Sequence, residues 1–255
     1  MSRVLKGSSA FRDLGGTPTT DGHRVAAGRL FRADALTSLD ADDRRAIDAL
    51  GLRLVCDLRG GDERTRTPCL AWLDPAPRRM HLEVSSGLIE ATAPWLMRLR
   101  RGPDVEAAEG LMRTTYANLP RSAAPFIGQL FDALVEGEVP ALVHCTAGKD
   151  RTGFAIALVL TALGVDPHYV YEDYLAGSGR DPLEAEQPSA HMLEALLSRP
   201  LEPDEAQRLH VVRPDYLDAA FDSLVRGWGD PLAYLEETTG LDARRRALLR
   251  RQLLD

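Results

Sequence analysis

The residues from Val139 to Gly153, VPALVHCTAGKDRTG, constrain this chain more than any other stretch, because they run from a short apolar segment through a turn of small residues into a helix opening. Cys145 and Arg151 are separated by five residues, Thr146 to Asp150, with Gly148 in the middle and Thr152 directly after the arginine. Such a run can curl until its backbone N–H groups converge on one concavity, an anion nest that opens into the positive end of the following helix. Arg151 adds a planar fork able to hold two phosphate oxygens at once. Cys145 stands at a strand end facing the same helix terminus, a setting that favours the thiolate, the nucleophilic form. The arrangement suits the capture and attack of a phosphate group.

The string HCTAGKDRTG resembles the HCxxGxxR signature, closed by Ser or Thr, of the cysteine-dependent protein tyrosine phosphatase superfamily. Its filling, AGKDR, is similar to the bacterial branch of tyrosine and lipid phosphatases, which has mycobacterial members. Phe11 to Gly16, FRDLGG, reads on its own as a compact polar turn, yet it resembles an N-terminal signature of that branch, with Ala10 where members usually carry Asn. GRLFR, from Gly28 to Arg32, matches the family pattern again, and Asp57-Leu58-Arg59 followed by Glu63 resembles a further signature. The plain alternative for Asp57, Arg59 and Glu63 is a salt-bridged loop outside the active site. The reading implies one α/β phosphatase domain over residues 1–255, phosphotyrosine protein phosphatase II-like. Its sheet is expected to have four or five largely parallel strands flanked by helices, with the cysteine loop at the carboxyl end of a central strand, where such sheets bind ligands.

With 44% apolar and 27% charged residues in 255, the chain can build a full core. A formal charge of -7 argues against a nucleic-acid or membrane-surface role, so an anionic partner must be won locally. The expected partner is a phosphorylated protein or a phosphoinositide, with no nucleic acid and no stable membrane insertion. The longest apolar run, Phe154 to Val165, is far shorter than the roughly 20 residues of a membrane span. The first residues lack the apolar core of a signal peptide, and Cys56, Cys69 and Cys145 are too few for a disulfide framework. A reducing cytoplasm is the simplest location, export without a recognisable signal being left open. The six histidines are scattered with no metal-ligand spacing, so neither metal nor cofactor is expected.

Along the chain, Thr37 or Ser38 can cap a helix from Asp40 to Leu50 that stops at Gly51. Residues Leu52 to Leu58 alternate as a strand, placing Asp57 and Arg59 on one face and Cys56 on the other. Gly28 to Phe31 and Arg78 to Ser85 read as further strands. Gly87 to Asn118 reads as two helices broken at Arg100 to Pro103, with a separate helix from Pro125 to Val135. Gly153 to Leu163 is apolar on nearly every side, a buried helix. Asp166-Pro167 opens a tyrosine-bearing helix. Pro182 to His210 is polar and proline-punctuated around one helical piece, His191 to Leu197. Three short helices follow from Pro214 to Leu254, where Arg244, Arg245, Arg246, Arg250 and Arg251 are expected to form a solvated face. A mycobacterial member has a helical lid, which makes residues 188–208 the comparable element, while the helices of 87–118 are expected to pack on the sheet or, as the alternative lid element, to form a mobile wall over the pocket.

The resemblance makes Cys145 the nucleophile that forms a phosphocysteine. Arg151 and the backbone of Thr146, Ala147, Gly148, Lys149, Asp150 and Arg151 hold the phosphate oxygens. His144 supports the cysteine by hydrogen bonding, and Thr152 donates its hydroxyl to the sulfur. Asp150 is preferred as general acid over Asp57. Lys149 either suits substrates with more than one phosphate or merely offsets Asp150. A protective disulfide between Cys56 and Cys145 is disfavoured by the strand alternation, and buried apolar thiols are expected for Cys56 and Cys69. The rival functions are a catalytically silent phosphopeptide-binding module and a rhodanese-like sulfurtransferase.

Overall fold

The computed structural model describes residues 5–84, 89–178 and 188–255. Five short strands form one sheet in the order β1-β2-β5-β3-β4. They are β1 (Arg12–Asp13), β2 (Leu30–Ala33), β3 (Leu54–Asp57), β4 (Arg78–His81) and β5 (Ala141–His144). Only β1 runs antiparallel to its neighbour; the other pairs are parallel. The expected architecture is therefore the one observed. Ala33, Asp57 and His144 are register partners across β2, β5 and β3, so three strands end level around the cysteine.

Side-chain alternation sends residues to two unequal cores. Leu54, Cys56, Leu58, Ala141, Val143 and Cys145 join the larger one, while Val55, Leu142 and Phe31 join the smaller. The smaller face packs against α1 (Ala41–Asp48) and the chain near Leu70 and Leu73. The larger face carries α4 (Val105–Val135), α5 (Asp150–Leu163), α9 (Pro214–Trp228), α10 (Pro231–Thr239) and α11 (Ala243–Leu253). Helix α5 is buried along almost its whole length, as its all-round apolar sequence requires. It ends at Gly164, whose φ of 83° is a left-handed cap.

Several boundaries differ from the sequence reading, each for a local reason. Helix α1 is capped by Asp40, whose carboxylate accepts from the amides of Asp42 and Asp43, rather than by Thr37 or Ser38. FRDLGG is more than a turn. Its Arg12 and Asp13 pair with β2, and Asp13 accepts from the amides of Gly15 and Gly28. Strand β4 stops at His81; Ser85 lies outside the described residues. After α3 (Ile89–Arg101), one helix of 31 residues runs straight through Pro120 and Pro125 where two were expected. A helical proline costs about 3 kcal/mol in isolation. Here Pro120 is buried with Leu119, Ala123 and Ile127, and its carbonyl accepts the hydroxyl of Tyr234, so packing outweighs propensity.

Of the segment expected from Pro182, residues 182–187 lie outside the described residues; the described part before α9 holds two helices rather than one, α7 (Pro188–Leu197) and α8 (Pro203–His210). The buried Glu205 of α8 is forked by Arg199 and accepts from the Asp104 amide, which fastens this segment to the corner between α3 and α4. The arginines of α11 are not simply a solvated face. Arg246 donates to Ala162 O at 2.6 Å and Arg250 to Leu163 O, so both close the carbonyl end of α5; Arg245 pairs with Asp132. Arg244 and Arg251 do stay exposed.

Candidate active site

Strand β5 delivers His144 and Cys145 to the end of the sheet, and the chain turns through Thr146 to Lys149 before α5 begins at Asp150. Gly148 makes the turn possible. Its φ is 69°, and a Cβ there would lie 2.6 Å from Ala33 O. The loop carbonyls are tied from outside. Thr146 O accepts from the Ala35 amide at 3.1 Å, and Gly148 O accepts from Arg32 Nη2 at 2.6 Å. Arg32 is fully buried and also donates to Asp173 Oδ2 at 2.5 Å, while Arg12 Nε donates to Asp173 Oδ1 at 2.7 Å. Asp173 comes from α6 (Pro167–Leu175), opened by the Asp166 cap and Pro167 as expected. Among the described residues, the backbone N–H groups from Thr146 to Arg151 have no acceptor. Unpaired amides at the mouth of a helix form the nest that an oxyanion fills.

Arg151 Nη1 and Nη2 donate to the two carboxylate oxygens of Glu63 at 2.7 and 2.8 Å. Glu63, on α2 (Gly61–Arg66), also accepts from Thr146 Oγ1 and from the Gly60 amide. Burial alone would raise the Glu63 pKa, but the Arg151 fork and the other donors reverse this and bring it down to about 2. Burial likewise works against the Arg151 charge, and Glu63 together with the nearby Cys145 and Asp150 overrides it, raising its pKa. Glu63 thus belongs with Arg151, not with Asp57 and Arg59 in a separate salt-bridged loop. Its place in the Asp57-Leu58-Arg59 signature was its one mark in the sequence.

Asp150 is more than a quarter exposed. Its Oδ1 accepts the hydroxyl of Tyr116 at 2.7 Å, and its Oδ2 lies 3.8 Å from Lys149 Nζ. Lys149 is itself buried, and its ammonium donates to Leu209 O and His210 O at 3.2 and 2.8 Å, the carbonyl end of α8. Cys145 is only 2% exposed. The hydroxyl of Thr152 is buried with no partner among the described residues, so the bond to sulfur implied by the resemblance is not made in this arrangement.

Asp57 and His144 project to the other side of the sheet from Cys145, which joins the larger core. Arg59 grips both oxygens of Asp57, at 2.9 and 2.8 Å. Burial pushes the Asp57 pKa up, but the Arg59 hydrogen bonds and the nearby His144 bring it below the usual value. His144 Nδ1 lies 3.2 Å from Cys145 O, and burial lowers the pKa of the ring, keeping it neutral. Asp57, Cys69 and His144 place three ligand-type atoms within 4.8 Å of one another, beside an open cavity of about 770 Å³ that also contains His81. Sequence spacing gave no sign of this cluster. Arg59 Nη2 already donates to two of the three, 2.8 Å from Asp57 Oδ2 and 3.1 Å from Cys69 Sγ, so a guanidinium supplies positive charge where a metal ion could.

The three cysteines are free. Burial drives the Cys56 thiol far above its ordinary pKa, as a buried apolar thiol should behave. The alternation argument against pairing with Cys145 fails, however, because both sulfurs belong to the larger core. Sequence reasoning also missed Arg32, Asp173, Tyr116 and Tyr174. Arg32 lay in the GRLFR match and Tyr174 in the Asp166-capped helix, but nothing local pointed to their partners.

A profile of the tyrosine phosphatase family matches residues 4–255. A Cupriavidus necator protein named as a tyrosine-protein phosphatase is 32% identical over 238 residues, covering 91% of this chain and 81% of its own length. The triple specificity protein phosphatase PtpB of Mycobacterium tuberculosis is 28% identical over 262 residues, covering 92% of this chain and 93% of its own. Among solved structures, TpbA of P. aeruginosa aligns over 69% of this chain and 88% of its own at 20% identity, with a TM-score of 0.33, too loose a likeness to bear on the site.

Proposed function

The chain belongs to the tyrosine phosphatase family, and from that premise we propose that it hydrolyses phosphoric monoesters through a phosphocysteine on Cys145. The observation that supports this reading is that the amides from Thr146 to Arg151, directly after the buried Cys145, have no acceptor among the described residues, while Arg151 is held by Glu63. In the first step Cys145 Sγ attacks phosphorus in line. The S–P bond forms, the P–O bond to the leaving group breaks, and the departing oxygen takes a proton from Asp150. Water then attacks phosphorus and passes a proton back to Asp150 as the S–P bond breaks. The loop amides and Arg151 stabilise the equatorial oxygens where charge gathers.

The surrounding groups take supporting parts. His144 braces the Cys145 carbonyl, and the unpaired Thr152 hydroxyl is available to the sulfur when it leaves as thiolate. Asp57 is a poor acid: two hydrogen bonds from Arg59 keep it ionised, and it lies behind the loop. Residues 1–255 are read as one phosphatase domain. Within it residues 188–208, in α7 and most of α8, act as a lid, because the last residues of α8, Leu209 and His210, accept from Lys149 of the phosphate loop. The α3–α4 stretch (87–118), of which 87 and 88 lie outside the described residues, forms the wall to which that lid is fastened through Arg199 and Glu205. A substrate with a second phosphate competes with α8 for Lys149, which extends the substrate range from phosphotyrosine and phosphoserine or phosphothreonine to phosphoinositides. The breadth in the name of PtpB supports this reading. No helix among the described residues is long and apolar enough to cross a membrane.

The test is release of phosphate from para-nitrophenyl phosphate without added metal, lost in Cys145→Ser. Phosphopeptide binding without turnover would indicate the silent module instead. Cyanide-dependent sulfur transfer from thiosulfate would indicate the rhodanese-like alternative.

A further inference from the structure

Three tyrosines from three helices meet beside Asp150. Tyr116 of α4, Tyr174 of α6 and Tyr216 of α9 are all fully buried, and the ring of Tyr116 lies 6.1 Å from that of Tyr174 and 5.7 Å from that of Tyr216. Tyr216 spends its hydroxyl on Arg208 O at 2.8 Å. The other two form a chain that ends on the carboxylate: Tyr174 to Tyr116 at 2.9 Å, and Tyr116 to Asp150 Oδ1 at 2.7 Å. Its polarity follows from chemistry. An ionised carboxylate can only accept, so Tyr116 must donate its single proton to Oδ1, and its oxygen is left to accept from Tyr174.

We propose that Tyr116 is a positioning residue for the general acid, holding Oδ1 of Asp150, with Tyr174 behind it, so that the transferable proton is carried on Oδ2. This rests on the reading of Asp150 as the acid. When Asp150 takes up a proton, Tyr116 still donates to Oδ1, which leaves Oδ2, the oxygen on the Lys149 side, as the site of protonation. A phenol that accepts a hydrogen bond is a stronger donor, which is what Tyr174 contributes. Burial holds both phenols protonated far above their ordinary range, so the donation persists at every working pH. The other charged or titratable groups facing Asp150 are Lys149 and Arg151 beside it and His210 from α8. Of the groups that hold Asp150, Tyr116 is the one that keeps a donor on Oδ1 while bringing no net charge of its own.

Tyr116→Phe keeps the ring between its two neighbours and removes only the hydroxyl. With phenyl phosphate, a poor leaving group, kcat should fall about tenfold, and with an activated aryl phosphate by less than about threefold, KM being unchanged. Loss of a donor to the charged carboxylate favours its neutral form, so the basic limb of the kcat profile should move up by about half a pH unit. Tyr174→Phe, which leaves the direct contact in place, should shift both readouts in the same sense by about a third as much. Equal losses on the two esters with an unmoved limb would overturn the proposal and leave Tyr116 a packing residue. Asp150→Asn separates the layers. If it shows no leaving-group dependence, the acid reading falls and this proposal with it; if it does while Tyr116→Phe does not, only the role of Tyr116 is lost.

Discussion

The two sides of the sheet end hold nearly the same set of side chains put to opposite uses. In front, Arg151 pairs with Glu63, and Asp150 stands apart on a tyrosine; behind, Arg59 pairs with Asp57, and His144 and Cys69 complete the group. Each side has a forked arginine–carboxylate pair and a cysteine. What differs is the spare capacity. Behind the sheet Arg59 is spent on Asp57, Thr67 O and Cys69 Sγ, and the charges of Arg59 and Asp57 offset each other in a buried pair. In front, a run of amides has no acceptor among the described residues, and one carboxylate takes a neutral hydroxyl on Oδ1, with a lysine ammonium 3.8 Å from Oδ2, rather than the grip of a guanidinium. Under the proposed mechanism the open amides matter most, because a donor with no resting partner can bond a phosphate oxygen in the transition state without giving up another bond, whereas Arg151 already carries Glu63. The back cluster uses similar chemistry to fix the strand ends on which the front depends.

The contrast can be broken by exchanging like for like on the two sides. Arg151→Lys should lower kcat about 10³-fold, since a point charge replaces a planar fork at the phosphate, whereas Arg59→Lys should leave kcat within about threefold and lower the melting temperature. Steady-state kinetics with thermal melts on both variants check this; comparable kinetic losses would erase the distinction. The carboxylates come next. Asp150→Asn should cost about 30-fold on phenyl phosphate and far less on activated esters. Asp57→Asn should cost about 3 kcal/mol in urea unfolding by leaving Arg59 buried and half paired, with leaving-group dependence unaltered. Glu63→Gln loosens the front fork without removing it, and kcat/KM should fall about fivefold in a single-substrate assay.

The smallest effect concerns pH. Burial, with Lys149 adding to it, lowers the His210 pKa from 6.5 to about 4, so the native protein keeps this ring neutral where the unfolded chain binds a proton. The contribution of neutral His210 is therefore full above pH 6.5 and is lost as pH falls from 6.5 to about 4. Urea midpoints measured across that window should decline in the parent chain and decline less in His210→Asn. Glu63 has the carboxylate form of the same linkage: its stabilisation is present above its unfolded pKa and disappears only as pH drops toward its folded value of about 2.

Much of this molecule could be read from local pattern. Alternation from Leu54 to Asp57, the all-round apolar helix after Arg151, the Asp166-Pro167 opening and the order of Cys145, Gly148 and Arg151 all express periods or turn chemistry confined to a few neighbouring residues. Local rules misled where burial overrode them, as at Pro120 and Pro125, or where a charged run such as Arg245, Arg246 and Arg250 found acceptors on other helices. The alternation that correctly turned Cys56 from Asp57 said nothing about which face the loop would give to Cys145.

The proposed chemistry of the site, a thiol and a guanidinium at the two ends of a turn of open amides, is written in neighbouring residues, although Arg32 and the Ala35 amide fasten that turn from outside. Its control is not. Glu63 reaches Arg151 across 88 positions, Arg32 reaches Gly148 across 116, and Tyr116 reaches Asp150 across 34. Period and propensity tell a side chain which face to take but not whom it meets there across the fold; Asp57 finds its guanidinium two residues along its own chain, whereas the hydroxyl on Asp150 Oδ1 arrives only because the helices pack.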